Sequence, residues 1–288
     1  MKNLLIILIF IIVLFFYLHI IYHLKKSNDL EVYEINEPTK NELEEICNYR
    51  QPVIFHYNSN VSEDINNEQI ITKYSSFDLN VRNVKNNNTE QEMYIPYKVK
   101  DLFTVFENDK EGKYITENNE DFISETGIIK CLKYNDVLLR PYFMLNNRYD
   151  LLSGSNKTRT PFRYNLYYRN FIYVLDGNVK IKLSPPNSSK YLNEINDYDN
   201  YEFRTDIDVW NDNEKIDKIR FLEVNLKKNQ IIYIPSYWWY SIQYDTKSLL
   251  INYSYDTYMS MLSITPNILL YYLQAQNIKI KKYKKYNK

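Results

Sequence analysis

Histidine is almost missing from this 288-residue chain: there are three, and His19 and His23 fall in an apolar N-terminal run, leaving only His56 beyond it. A metal site built on two histidines is therefore excluded from the rest of the chain unless a second subunit contributes one. His56 alternates within PVIFHY and reads as an ordinary strand histidine. Glycine is nearly as scarce. Gly112, Gly127, Gly154 and Gly177 stand alone, so neither a P-loop nor a G-x-G-x-x-G turn can be built. Cys47 and Cys131 form no C-x-x-C pair and read as core thiols. Net charge is absent as well. With 36 Lys+Arg against 36 Asp+Glu there is no global field to draw in nucleic acid. Alanine occurs once, at Ala275, and the surplus of Asn, Lys, Ile and Tyr is that of AT-rich coding, such as large DNA viruses use.

What the chain does have is apolar mass, 44% hydrophobic residues, enough for a real core. Leu4 to Leu18 carries no charge, and continued to Tyr22 it gives a helix of about 28 Å, the thickness of a bilayer core. The run lacks small residues for signal cleavage and is followed by Lys25 and Lys26, so residues 1–26 read as an uncleaved single-pass anchor. Lys2 and the terminal amine balance those lysines, leaving the orientation and the identity of the membrane open.

Residues 27–38 read as a tether, 39–262 as one domain, and 263–288 as a C-terminal helix with a basic tail. Within the domain, Lys40 to Asn48 has helical spacing and Pro52 to Tyr57 reads as a strand. Ile70 to Tyr74 and Phe77 to Val81 suggest strands, and Val99 to Asn108 a helix. From Asn170 onward strand-like runs dominate: FIYVL, VKIKL, IRFLEVNL, QIIYIP, SIQY and LLINYSY. In VKIKL, Val179, Ile181 and Leu183 share one face and Lys180 and Lys182 the other. Asn187 to Lys218 is a loop too polar for core. Pro266 to Ile278 reads as the last helix. The lysines after it suit either solvent or an anionic lipid surface, at about 1 kcal/mol each in the latter case.

GSNKTRTPFRYN, NFIYVLDGNVKIKLSPP and EVNLKKNQIIYIPSYWWYSIQ, followed by LLINYSY, together resemble the JmjC and cupin-like hydroxylase family, nearest to the branch around the asparaginyl hydroxylase of hypoxia-inducible factor. The likeness runs from about Glu34 to Tyr255. It implies a mainly β fold, a double-stranded β-helix or jelly roll with flanking helices, whose barrel mouth in that family holds Fe(II) and 2-oxoglutarate. Two histidines and a carboxylate hold that iron and leave open positions for oxygen and the keto acid.

At the positions where the resemblance implies the ligands, this sequence carries Arg163, Asn165 and Tyr240. A guanidinium has no lone pair to give, an amide is a feeble ligand, and a phenol binds iron poorly at neutral pH. A register one residue later would place the first pair on Tyr164 and Leu166, which bind iron no better. The lysine expected two residues after the strand glycine is Val179. Thr160, Tyr164, Tyr173, Trp238, Trp239 and Asn252 are expected at the barrel mouth or interior, with the Asn252 amide paired to Arg163 or Tyr240. The expectation is a membrane-anchored cupin-like module without cofactor or metal, leaning away from catalysis, that binds or scaffolds a protein through the barrel mouth or the loop from Tyr191 to Trp210. Two alternatives stay open: an Fe(II)/2-oxoglutarate hydroxylase with an atypical site, and a jelly roll that binds a small molecule or glycan.

Overall fold

The segment RNFIYVLD is apolar on both faces, so a strand made from it must be buried on both sides. In the computed structural model, which describes residues 2–85, 94–211 and 216–286, with side chains to residue 276, it is. Arg169–Asp176 lies inside a nine-stranded sheet with Phe171, Tyr173 and Leu175 on one face and Ile172 and Val174 on the other. Successive side chains alternate across a strand, so the two sets serve two different cores.

From edge to edge, the large sheet runs Tyr33–Ile35, Val53–His56, Gln230–Tyr233, Arg169–Asp176, Leu249–Thr257, Met144–Gly154, Tyr114–Thr116, Asp78–Asn83 and Ile95–Lys98. A six-stranded sheet faces it: Glu194–Asp197, Glu202–Thr205, Arg163–Tyr164, Trp239–Tyr244, Asn178–Ser184 and Leu222–Lys227. Ile172, Val174, Ile181, Leu183, Ile242 and Leu250 meet between the sheets and form the barrel interior. The outer face of the large sheet packs under helices Lys40–Asn48, Val99–Asn108, Glu120–Glu125 and Ile128–Asn135 through Leu43, Leu102, Phe122 and Leu132. The first of these starts on a capping box, with Thr39 accepting from Glu42 N–H and the Glu42 carboxylate accepting from Thr39, which satisfies two of the amides a helix start leaves open. Architecture and topology are those of the expected jelly roll.

Four local expectations need correcting. Ile70 to Tyr74 is not a strand: it lies in and just beyond the helix Asn67–Lys73, whose start is fixed by Asn66 accepting from Gln69 N–H and whose Ile70 is buried. The loop from Asn187 to Lys218 contributes the strands Glu194–Asp197 and Glu202–Thr205 and buries Leu192, Phe203 and Val209; its charged side chains pair with one another and with the barrel. The stretch assigned to a tether includes Tyr33–Ile35, which runs parallel to Val53–Phe55 as an edge strand. Cys131 is only partly buried, while Cys47 is in the core.

Lys2–Leu24 is one helix with no buried residue, and among the described residues it is the one helix long and apolar enough to cross a membrane. Its last turn touches the domain, where the His23 ring meets Tyr168 at 5.0 Å and Lys26 Nζ sits 3.9 Å above the Tyr237 ring. Thr265–Tyr286 is the last helix, starting one residue earlier and ending eight residues later than the spacing indicates; the side chains of the terminal lysines lie outside the described residues.

Candidate functional site

Arg163–Tyr164 is a two-residue strand between Glu202–Thr205 and Trp239–Tyr244. Its register sets the site: Arg163 stands directly opposite Tyr240 on one side and Arg204 on the other, and Tyr240 opposite Leu183. Residues opposite one another share a face, so Arg163 and Tyr240 enter the barrel with Leu183. Tyr164 goes the other way. Arg163, and not Tyr164, is the inward residue of this strand.

Inside the barrel Arg163 meets two carboxylates. Its Nη2 donates to Glu117 Oε2 at 2.6 Å and its Nη1 to Glu202 Oε1 at 2.9 Å. Arg82 Nη1 completes the square, 3.1 Å from Glu117 Oε1 and 2.9 Å from Glu202 Oε1. Tyr94 donates its O–H to Glu117 at 2.8 Å, and Arg204 Nη1 holds Glu202 Oε2 at 3.0 Å. The Arg163 guanidinium lies 5.9 Å from the Tyr240 ring centroid. Four segments distant in sequence thus supply a buried, alternating cluster of guanidinium and carboxylate. Burial alone would push the Glu117 carboxyl up, but Arg163 and Arg82 outweigh it and hold it at about 2. Glu202 is lowered by the same two arginines against its own burial. Burial raises the Tyr240 phenol, with Arg163 opposing only in part, so at neutral pH it keeps its proton.

This donor set does not fit Fe(II). A fixed cation, already paired, occupies the position where a ligand would have to offer a lone pair, and Tyr240 presents a protonated phenol. The Asn165 side-chain amide is buried without a hydrogen-bond partner among the described residues, while its C=O accepts from Tyr237 N–H at 2.9 Å. His56 is exposed at the end of its strand. Among the described residues no group of three or more His, Cys, Asp or Glu is placed to hold a metal.

The position that the resemblance gives to a keto-acid lysine is Val179. Val179 faces the interior in the register Leu226, Val179, Tyr244. Lys180 is exposed, and Lys182 turns outward to Glu223 at 2.9 Å and the Val209 carbonyl at 3.2 Å. Tyr244 fills the space beneath Gly154 so closely that a Cβ there would fall 2.6 Å from the ring.

The remaining expected residues divide. Trp238 is interior and donates Nε1–H to the Arg50 carbonyl at 3.1 Å. Asn252, between the inward Leu250 and Ser254, donates to Ser254 Oγ at 3.2 Å and not to Arg163 or Tyr240; the Arg163 Nη atoms are taken by Glu117 and Glu202. Three residues are not interior at all, because alternation puts them on the opposite face. Tyr173 belongs to the helix-covered core and donates to the Tyr57 carbonyl at 3.2 Å. Tyr164 stacks on Phe203 at 5.2 Å and donates to Glu194 on the outside of the small sheet. Trp239 packs beside Phe162 and donates to Ser189 Oγ at 2.8 Å. Thr160 ties the sheet edge, its Oγ1 accepting from Ile242 N–H.

A family model described as the cupin-like domain matches residues 23–261. The chain belongs to the cupin-like domain family. No curated protein matches it. Arg82, Glu117, Glu202 and Arg204 are the site residues that sequence reasoning missed in this cupin-like domain. The one local signal was a charged residue beside a core residue within a strand, as in Arg82 after Val81.

Proposed function

We propose that this cupin-like protein is a membrane-anchored binding module whose barrel has exchanged metal chemistry for a structural ion cluster. The observation that carries the reading is Arg163, inward and in register with Tyr240, with both carboxylates of the cluster committed to it. A bound cation at the same place would have to displace a guanidinium that two buried glutamates stabilise, and breaking such a pair costs about 3–5 kcal/mol. The apolar helix Lys2–Leu24 supports membrane attachment.

The surface for a partner is the groove beside the cluster, about 480 Å³, lined by Arg82 and Arg204 of the cluster and by Lys110 and Lys157, with Arg159 over the Trp210 ring at 5.6 Å. Its mix of cations, acids and an indole suits a polar protein segment. The deciding experiment is metal analysis of the full chain purified in detergent without chelator, together with 2-oxoglutarate titration. The reading expects neither to bind; one iron, manganese or zinc per chain together with keto-acid binding would sink it.

A further inference from the structure

Where the apolar helix meets the domain, three buried polar atoms lack a hydrogen-bond partner among the described residues: Arg50 Nη1, Arg50 Nη2 and His23 Nδ1. Arg50 is 3% exposed, and its guanidinium lies against the rings of Tyr22 at 5.6 Å and Tyr168 at 4.9 Å. Its backbone is left-handed, φ 59°, and its carbonyl is held by Trp238, so the side chain is fixed at this junction. A buried guanidinium without an anion is costly. The nearby Glu44 does not serve it, being already paired with Lys40 at 3.3 Å and Arg169 at 3.3 Å. Lys26 adds a second cation above Tyr237.

Tyr22 and Tyr168 also line a groove of about 860 Å³ between the helix and the domain. Its walls are Phe15 and Leu18 from the helix and Phe143, Tyr258 and Met259 from the domain. Phe143 is 87% exposed and Tyr258 63%, and Phe143 is held outward by a left-handed backbone, φ 57°, uncommon for a bulky residue. The groove, which Glu44 also lines, shares Tyr22 and Tyr168 with the Arg50 guanidinium, a cation with no ion-pair partner among the described residues. That sequence of surfaces matches a phospholipid, acyl chain first and phosphate last.

We propose that this junction binds one anionic phospholipid, with its phosphate on Arg50 and Lys26 and an acyl chain in the groove. The site rests on the membrane-anchor reading, because the groove is continuous with the apolar helix and lies at bilayer depth only if that helix spans the membrane. It makes the helix a wall of a binding site, with the lipid as the wedge that fixes the domain against the membrane.

Native mass spectrometry of the full chain in detergent tests it, with dioleoyl phosphatidylglycerol, dioleoylglycerol and inorganic phosphate as separate probes. One phosphatidylglycerol per chain is expected. Arg50→Met should weaken it about tenfold, the order of one charge-assisted contact, while leaving dioleoylglycerol binding unchanged; Arg50→Lys should retain most of it. Phe143→Ser with Tyr258→Ser, both at exposed positions and safe for folding, should weaken both lipids. Equal phosphatidylglycerol binding by Arg50→Met, or binding unaffected by the Phe143 and Tyr258 changes, overturns the proposal, and so does inorganic phosphate binding as tightly as the lipid, which would mark an ion site. Alkaline extraction of membranes separates the two readings. Release of the chain overturns the anchor; retention without phosphatidylglycerol binding overturns the lipid site alone.

Discussion

Arg163 donates to Glu117 across 2.6 Å, and that bond ties the small sheet to the end of a large-sheet strand, Tyr114–Thr116. With Arg82 and Glu202 it closes a square in which every charge has two opposite neighbours. A lone buried ion pair often contributes little, since desolvation offsets attraction, yet removing one member leaves an uncompensated charge.

Arg163→Met is therefore expected to destabilise the protein by about 3–5 kcal/mol. Adding Glu117→Gln should recover part of that loss, because the second change removes the charge the first one strands. Urea unfolding of the full chain in detergent measures both; strictly additive losses would show that the two residues do not act as a pair.

Stability should pass through a maximum near mildly acidic pH. Glu117 is held at about 2, below its ordinary 4.5, so its contribution is complete above pH 4.5 and is lost as pH falls toward 2. Asp256 runs the other way. Burial raises it from 3.8 to about 6, against hydrogen bonds from Tyr168 N–H and Ser260, so the folded state binds its proton more tightly and stability declines as pH rises from 3.8 through 6. Thermal melts between pH 2 and 8 should rise on acidification from 7 to 5 and fall below 4. Burial raises Asp150 to about 6 as well, so Asp256→Asn should shrink the first limb without removing it and spare the second.

Gly154→Ala should cost about 1–3 kcal/mol, the usual penalty for overpacking, since the new methyl would sit 2.6 Å from a Tyr244 ring carbon. Tyr244→Leu in the same chain should make the alanine tolerable. If Gly154→Ala alone is neutral by denaturant midpoint, the barrel is emptier than described.

On the outer face, Tyr149 and Tyr255 both donate to Asp136, at 2.6 and 2.7 Å, and Arg140 pairs with the same carboxylate. Asp136→Ala strands two buried phenols and should cost more than about 2 kcal/mol, at 1–3 kcal/mol for each unsatisfied group. Tyr149→Phe, which removes one donor and leaves the acceptor served, should cost less than half as much.

Periodicity and composition determine much of this protein before any folding is known. The uncharged run after Leu4 makes a helix of membrane length, the alternation in VKIKL turns Val179 inward and Lys182 outward, and a single histidine after residue 23 keeps one chain from building a two-histidine site there by itself. These are properties of neighbours along the chain, carried by covalent geometry. Which charges meet is not such a property. Arg82, Glu117, Arg163 and Glu202 come from strands joined only when two sheets close over a common interior, and in the sequence Glu202 sits in what reads as a polar loop. The same closure places Tyr173, Tyr164 and Trp239 outside the barrel. It also draws Met144–Gly154, a strand without clean alternation at its start, into the sheet through its pairing with Leu249–Thr257. Local pattern fixes which way a side chain points relative to its neighbours; only the packed sheets decide what it points at.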